Sequence, residues 1–130
     1  MLQVKTKIGQ STIHGIGLFA DQFIPEGTII WKYTPNIDRE YTEDEYNKLE
    51  GLEKEYVKIY SFKFDGVYCL CCDDARFFNH SIEPNCDELV NDIRFGYTVA
   101  ARDIEIGEEL TTDYATFGLN ENDKEFNLDI

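Results

Sequence analysis

Turn signals interrupt this chain so often that long regular segments do not fit between them. Pro25-Glu26-Gly27, Asp65-Gly66, Asn91-Asp92 and Ile106-Gly107-Glu108 each mark a reversal. Glycine tolerates positive φ, proline presets φ, and Asn or Asp bonds its own backbone. Between the turns lie short runs that favour strands. Leu2–Lys7 alternates, Thr28–Tyr33 is β-branched and aromatic, Arg94–Ala101 is mostly apolar, and Glu109–Tyr114 reads as a last short strand. Tyr56–Phe64 and Val67–Cys72 flank Asp65-Gly66, a strong hairpin signal. Ile8–Gly17 reads as loop, and Asp74–Phe78 as one helical turn. Thr42-Glu43-Asp44-Glu45 has the capping-box spacing, which predicts a helix over Glu43–Glu50 ending at Gly51, with a further helical turn from Leu52. The expected fold is mainly β, with one short helix.

A chain of 130 residues predicts a single domain, here with a polar tail over 118–130. No apolar run approaches the length of a membrane span, and the N-terminus lacks the apolar stretch of a signal peptide, so a soluble intracellular protein is expected. Twelve basic against 26 acidic residues leave a net charge of −14. That balance argues against direct binding to a nucleic-acid backbone and favours cationic partners such as lysine-rich protein segments.

Four cysteines stand at 69, 71, 72 and 86. Cys69 and Cys72 form a lone Cys-x-x-Cys with no second pair, so no metal is expected, and the cysteines read as buried strand residues. A metal module around Cys69, Cys72 and Cys86 is the competing reading.

The segment Asn79-His80-Ser81-Ile82-Glu83-Pro84-Asn85-Cys86 crowds hydrogen-bonding side chains around one proline, directly behind Phe77-Phe78. Such a set behind an aromatic anchor reads as a small-molecule site or as a capped turn. His14-Gly15-Ile16-Gly17-Leu18-Phe19-Ala20 has glycines that let a backbone approach a ligand closely. It lacks the third glycine and the context of a dinucleotide fingerprint, so by itself it reads as a turn. The third segment, Arg102-Asp103-Ile104-Glu105-Ile106-Gly107-Glu108-Glu109-Leu110-Thr111-Thr112-Asp113-Tyr114, is by itself a charged turn between strands.

Together, in this order, the three segments resemble the SET-domain family of protein-lysine methyltransferases over roughly Val4–Phe117. The resemblance implies several small curved β-sheets with a C-terminal pseudoknot, and S-adenosylmethionine as methyl donor. It implies that His14, Gly15 and Ile16 contact the cofactor through backbone groups, with Gly17 shaping the turn. Arg76, Asn79 and His80 would hold the cofactor's amino-acid and adenine parts, and Phe117 would pack on the adenine or, equally, in the core. Tyr114 would sit where methyl meets amine, with Tyr60, or Tyr56 as second choice, completing the lysine channel. The cysteine-rich segment that many members carry after the tyrosine motif is absent here. Channel closure then falls to the tail, at Phe126, or to a second subunit in a homodimer. Thr112 stands where some relatives carry an aromatic residue, which leaves the number of methyl groups added open. The expected partner is a lysine-containing protein, histone-like, and the expected location is cytoplasmic or nuclear. A catalytically silent, protein-binding domain of the same fold is the alternative.

Overall fold

A computed structural model describes residues 1–89 and 95–114. Among these residues ten short strands form four small sheets, so the mainly β expectation holds. Strands β1 (Thr6–Gln10) and β2 (Ile16–Ala20) make an antiparallel hairpin, so part of the segment expected as loop is strand. The loop between them is closed by the Ser11 N–H donating to the Gly15 carbonyl at 2.8 Å. Strand β3 (Ile29–Lys32) pairs with β9 (Tyr97–Ala100), which pairs with β8 (Cys86–Leu89). Strand β6 (Val67–Leu70) lies between β4 (Arg39–Thr42) and β5 (Ser61–Phe64). Strands β7 (Asn79–His80) and β10 (Thr111–Thr112) form a parallel pair.

Local chemistry explains most boundaries. At the β5–β6 turn Asp65 has φ 50° and Gly66 φ 77°, the two positive values a tight two-residue hairpin requires. Helix α1 (Glu43–Lys48) opens with the full capping box: the Glu45 N–H donates to Thr42 Oγ1 at 3.1 Å, and the Thr42 N–H to Glu45 Oε1 at 3.2 Å. Two expectations are overturned here. Gly51, with φ 58°, does not close this helix but begins a second one, α2 (Gly51–Tyr60). Tyr56–Tyr60, expected as strand, is therefore helical. The reason lies in pairs one turn apart: the Tyr56 and Tyr60 rings sit 4.7 Å apart, and Val57 turns into the core. A single 3₁₀ turn, Asp74–Phe77, matches the expected helical turn.

Two clusters make up the core. One gathers Leu18, Ile24, Ile30, Cys86, Ile104 and Leu110; the other gathers Trp31, Cys69, Cys71, Ala75 and Phe95. Phe78 packs against both. Cys69, Cys71 and Cys86 are buried as expected, but Cys72 is exposed, because β6 ends at Leu70 and the alternation stops with it. Burial pushes the Cys86 thiol up to about 12, which makes it an inert core residue.

The residues before β10 run along β2. The Leu110 N–H donates to the Leu18 carbonyl at 2.8 Å, and the Ala20 N–H to the Glu108 carbonyl at 2.9 Å. Asn85 locks this crossing. Its amide donates to the Glu109 carbonyl at 2.8 Å, its Oδ1 accepts from the Thr111 N–H at 2.9 Å, and it is buried. Replacing Asn85 with Leu should therefore destabilise the chain by about 3 kcal/mol, since buried backbone groups lose their partners. Urea unfolding measures this, and an unchanged midpoint would show that the crossing holds without Asn85.

Candidate active site

The site begins with Asn79, the first residue of β7 and a buried one. Its Nδ2 donates to the carbonyls of His14 at 3.1 Å and Ile16 at 3.4 Å, and to Glu109 Oε2 at 2.9 Å. The Ser11 hydroxyl lies 2.8 Å from Glu109 Oε1 and 2.9 Å from Oε2. Glu109 thus joins the glycine loop to β7. Sequence reasoning placed it only in a charged turn, because nothing local connects it to residues thirty and a hundred positions away.

Gly17 is required by this contact. A Cβ there would stand 2.9 Å from the Glu109 carboxyl carbon and 3.0 Å from Ser11 Cβ. Gly15 differs: it has φ 46°, and no atom lies within 4 Å of where its Cβ would be. His14, Gly15 and Ile16 are exposed residues.

His80 and Tyr114 meet directly. The parallel pairing sets Thr112 beside His80, and the next residues bring the Tyr114 N–H to His80 Nδ1 at 3.1 Å. Because Nδ1 accepts, the neutral ring carries its proton on Nε2. The two rings lie 5.2 Å apart, and Asp113 approaches His80 Nδ1 at 3.8 Å. The Tyr114 hydroxyl donates to the Phe78 carbonyl. Burial, with Glu109 nearby, raises the phenol well above its ordinary value, so it stays protonated.

Tyr60, Arg76, Phe78, Thr112 and Tyr114 all line one cavity of about 100 Å³, together with Trp31 and Phe62. That volume holds a chain of several heavy atoms. The Arg76 guanidinium stands 4.8 Å from the Phe77 ring centre. Tyr56 does not line this cavity; it faces a separate groove beside Arg39 and Tyr41. Phe117 and Phe126 lie outside the described residues. Among the described residues no cluster of three or more His, Cys, Asp or Glu side chains is arranged to hold a metal ion.

Trp31 and Glu88 are among the cavity residues that local sequence does not reveal. Among the described residues, the buried indole N–H of Trp31 has no hydrogen-bond partner. Glu88, on β8, accepts from the Thr98 hydroxyl at 2.7 Å. Burial pushes its carboxyl from 4.5 up to about 7; the Thr98 hydroxyl opposes that rise and Asp87 adds to it. A glutamate in a short strand gives no sign in sequence that it faces a cavity.

Comparison with known proteins gives a consistent family. The SET domain matches residues 15–115. The chain is 34% identical over 122 residues to histone-lysine N-methyltransferase set1 of Dictyostelium discoideum, covering 85% of this chain and 8% of that protein. It is 34% identical over 118 residues to the H3 lysine-4 specific histone-lysine N-methyltransferase of Schizosaccharomyces pombe, covering 82% of this chain and 12% of that protein. The chain thus spans a small part of these relatives. A solved Plasmodium falciparum structure, assigned as a histone methyltransferase, shares the fold with TM-score 0.63 and 19% identity, covering 87% of this chain and 95% of that one.

Two outcomes follow from the geometry. Gly17→Ala should destabilise the chain by about 1 kcal/mol or more because its Cβ meets the Glu109 carboxylate, and Gly15→Ala should destabilise it as well because alanine is strained at φ 46°; paired urea unfolding curves measure both. The raised Glu88 value means the folded state holds that proton more tightly than the unfolded chain. Its contribution to stability is therefore highest below about pH 4.5 and falls as pH rises to about 7. Glu88→Gln should flatten the pH dependence of the melting temperature in that window, and an unaltered slope would contradict the assigned shift.

Proposed function

This chain belongs to the SET-domain family, and we propose that it is a protein-lysine methyltransferase that uses S-adenosylmethionine. The supporting observation is the gathering of Tyr60, Arg76, Phe78 and Tyr114 on one cavity, with His80 against Tyr114. In this reading residues 1–130 form one SET domain, and the parallel β7–β10 pair is where its C-terminal segment crosses the preceding loop.

The residues fit the donor. His14, Gly15 and Ile16 are exposed residues, and open space lies beside the Gly15 α-carbon where a ligand can approach. Asn79 holds that loop in place by its carbonyls. Arg76 and His80 supply a cation and a ring nitrogen for the donor's polar ends. Bound S-adenosylmethionine supplies an electrophilic methyl group on a positively charged sulfur. Tyr114 serves the methyl rather than a proton transfer. Its hydroxyl donates to Phe78, which leaves the oxygen lone pairs to accept weak C–H···O contacts from a methyl carrying positive charge. The walls formed by Trp31, Phe62 and Phe78 exclude water and align the reactants, an effect worth roughly 7–11 kcal/mol when geometry is near attack. Desolvation there also favours the neutral amine that attack requires.

The substrate is a basic protein segment, histone-like. The net charge of −14 would draw such a segment in and repel a nucleic-acid backbone. The relatives, histone-lysine methyltransferases by name, agree with a histone target and with an intracellular location, nuclear where a nucleus exists.

Tyr114→Phe should fold normally and lower single-turnover methylation of core histones by about tenfold, from loss of one oriented oxygen. Calorimetry with S-adenosylmethionine should show binding weakened by about tenfold in His80→Ala. If neither the native chain nor this variant gives a binding heat, the domain is a partner-binding module instead.

A further inference from the structure

We propose that the Glu88 carboxylate accepts the proton that the substrate's ammonium group must lose before it can attack. The inference rests on the methyltransferase reading and assigns a step that reading leaves open. A lysine side chain has an ordinary pKa of about 10.4, so roughly 1 molecule in 2,500 is neutral at pH 7. Something must hold the departing proton.

The cavity contains a group suited to this. Glu88 lines it together with Tyr60 and Tyr114, the two residues assigned to the methyl-transfer channel. Among the described residues its carboxylate has one hydrogen bond, from Thr98, and no ion pair. An ionised carboxylate has about four acceptor positions, so capacity remains for an incoming N–H. The unpartnered indole N–H of Trp31 lies in the same wall. A packing gap between aromatic rings would have neither a carboxylate nor an orphan donor, since buried polar groups are otherwise satisfied. Both features fit a cavity built to receive a polar group.

The step balances. One N–H bond of the ammonium breaks and one O–H bond forms on Glu88. A cation and an anion become a neutral amine and a neutral acid, and the nitrogen keeps the lone pair. A dry cavity favours that exchange because neither charge remains buried. The proton passes to solvent after product release.

The other titratable groups near this one do not serve. The Cys69 side chain and burial hold the Cys71 thiol protonated, and burial holds the Tyr114 phenol protonated. Arg76 is permanently cationic and attracts a carboxylate rather than an ammonium. Tyr60 reaches the cavity from the end of α2 and carries no carboxylate. Asp87 precedes Glu88 on β8 but does not line the cavity, and neither does His80, whose Nδ1 is occupied by the Tyr114 N–H. Of these groups, Glu88 is the cavity carboxyl whose burial brings it to about 7, where it can both take and release a proton.

The test combines a readout independent of activity with a rate profile. Carbon-13 spectra of glutamate-labelled protein assign the Glu88 carboxyl by its disappearance in Glu88→Gln. That signal should titrate near pH 7 and shift when n-butylamine, the end of a lysine side chain, is added. An ordinary titration that butylamine leaves unmoved overturns the proposal. Methylation of core histones by the native chain should rise through pH 7 and level off. In Glu88→Gln it should be at least tenfold slower at pH 7 and continue to rise about tenfold per pH unit to pH 9. Glu88→Asp should restore the plateau at a reduced rate. If native protein methylates and Glu88→Gln keeps its profile within twofold, the Glu88 assignment falls and the enzyme reading stands. If the native chain transfers no methyl group at any pH, both fall.

Discussion

A single amide nitrogen, Nδ2 of Asn79, is held between the carbonyls of His14 and Ile16 and the carboxylate of Glu109. These three acceptors come from two segments far apart in sequence, and neither segment has a local reason to lie beside β7. A buried amide left without partners costs enough to matter, so the arrangement is strongly specified. It also demands Gly17, since any side chain there would occupy the space of the Glu109 carboxylate. Asn85 makes a second clamp on the same crossing, through the backbone of Glu109 and Thr111.

The rest of the site follows from that fastening. With Glu109 fixed, β10 lies parallel to β7, and Tyr114 emerges beside His80 rather than elsewhere on the surface. The Tyr114 hydroxyl then reaches the carbonyl of Phe78, which packs against both core clusters. The cavity in front of it is completed by pieces of the β3–β9–β8 sheet, by β5 and by α2. Its residues are placed by rigid strands and a packed helix, which suits a reaction governed by alignment more than by a strong nucleophile.

Much of this was legible in the chain. Asp65-Gly66 announced its hairpin because only a few residues tolerate two successive positive φ values. Thr42 and Glu45 announced a helix start because the box is satisfied within four residues. The stretch Tyr56–Tyr60 was misread as strand. Aromatic and β-branched residues favour strands on average, and the Tyr56–Tyr60 contact that favours helix depends on what covers them. Gly51 was misread as a stop, because a positive φ between two helices suits the end of one as well as the start of the next.

The motif residues Asn79, His80, Gly17 and Tyr114 were visible because their spacing along the chain is itself the signal. Their family, and the mainly β fold, could be read from that order. Tertiary structure alone decided what each residue touches. Asn79 bonds the loop, Gly17 makes room for Glu109, and Tyr60 rather than Tyr56 faces the cavity. It alone placed Glu88 and Trp31 in the wall. The physical reason is that hydrogen bonding and burial act through space, and a short strand carries no mark of which neighbour its side chain will meet until the sheets have packed.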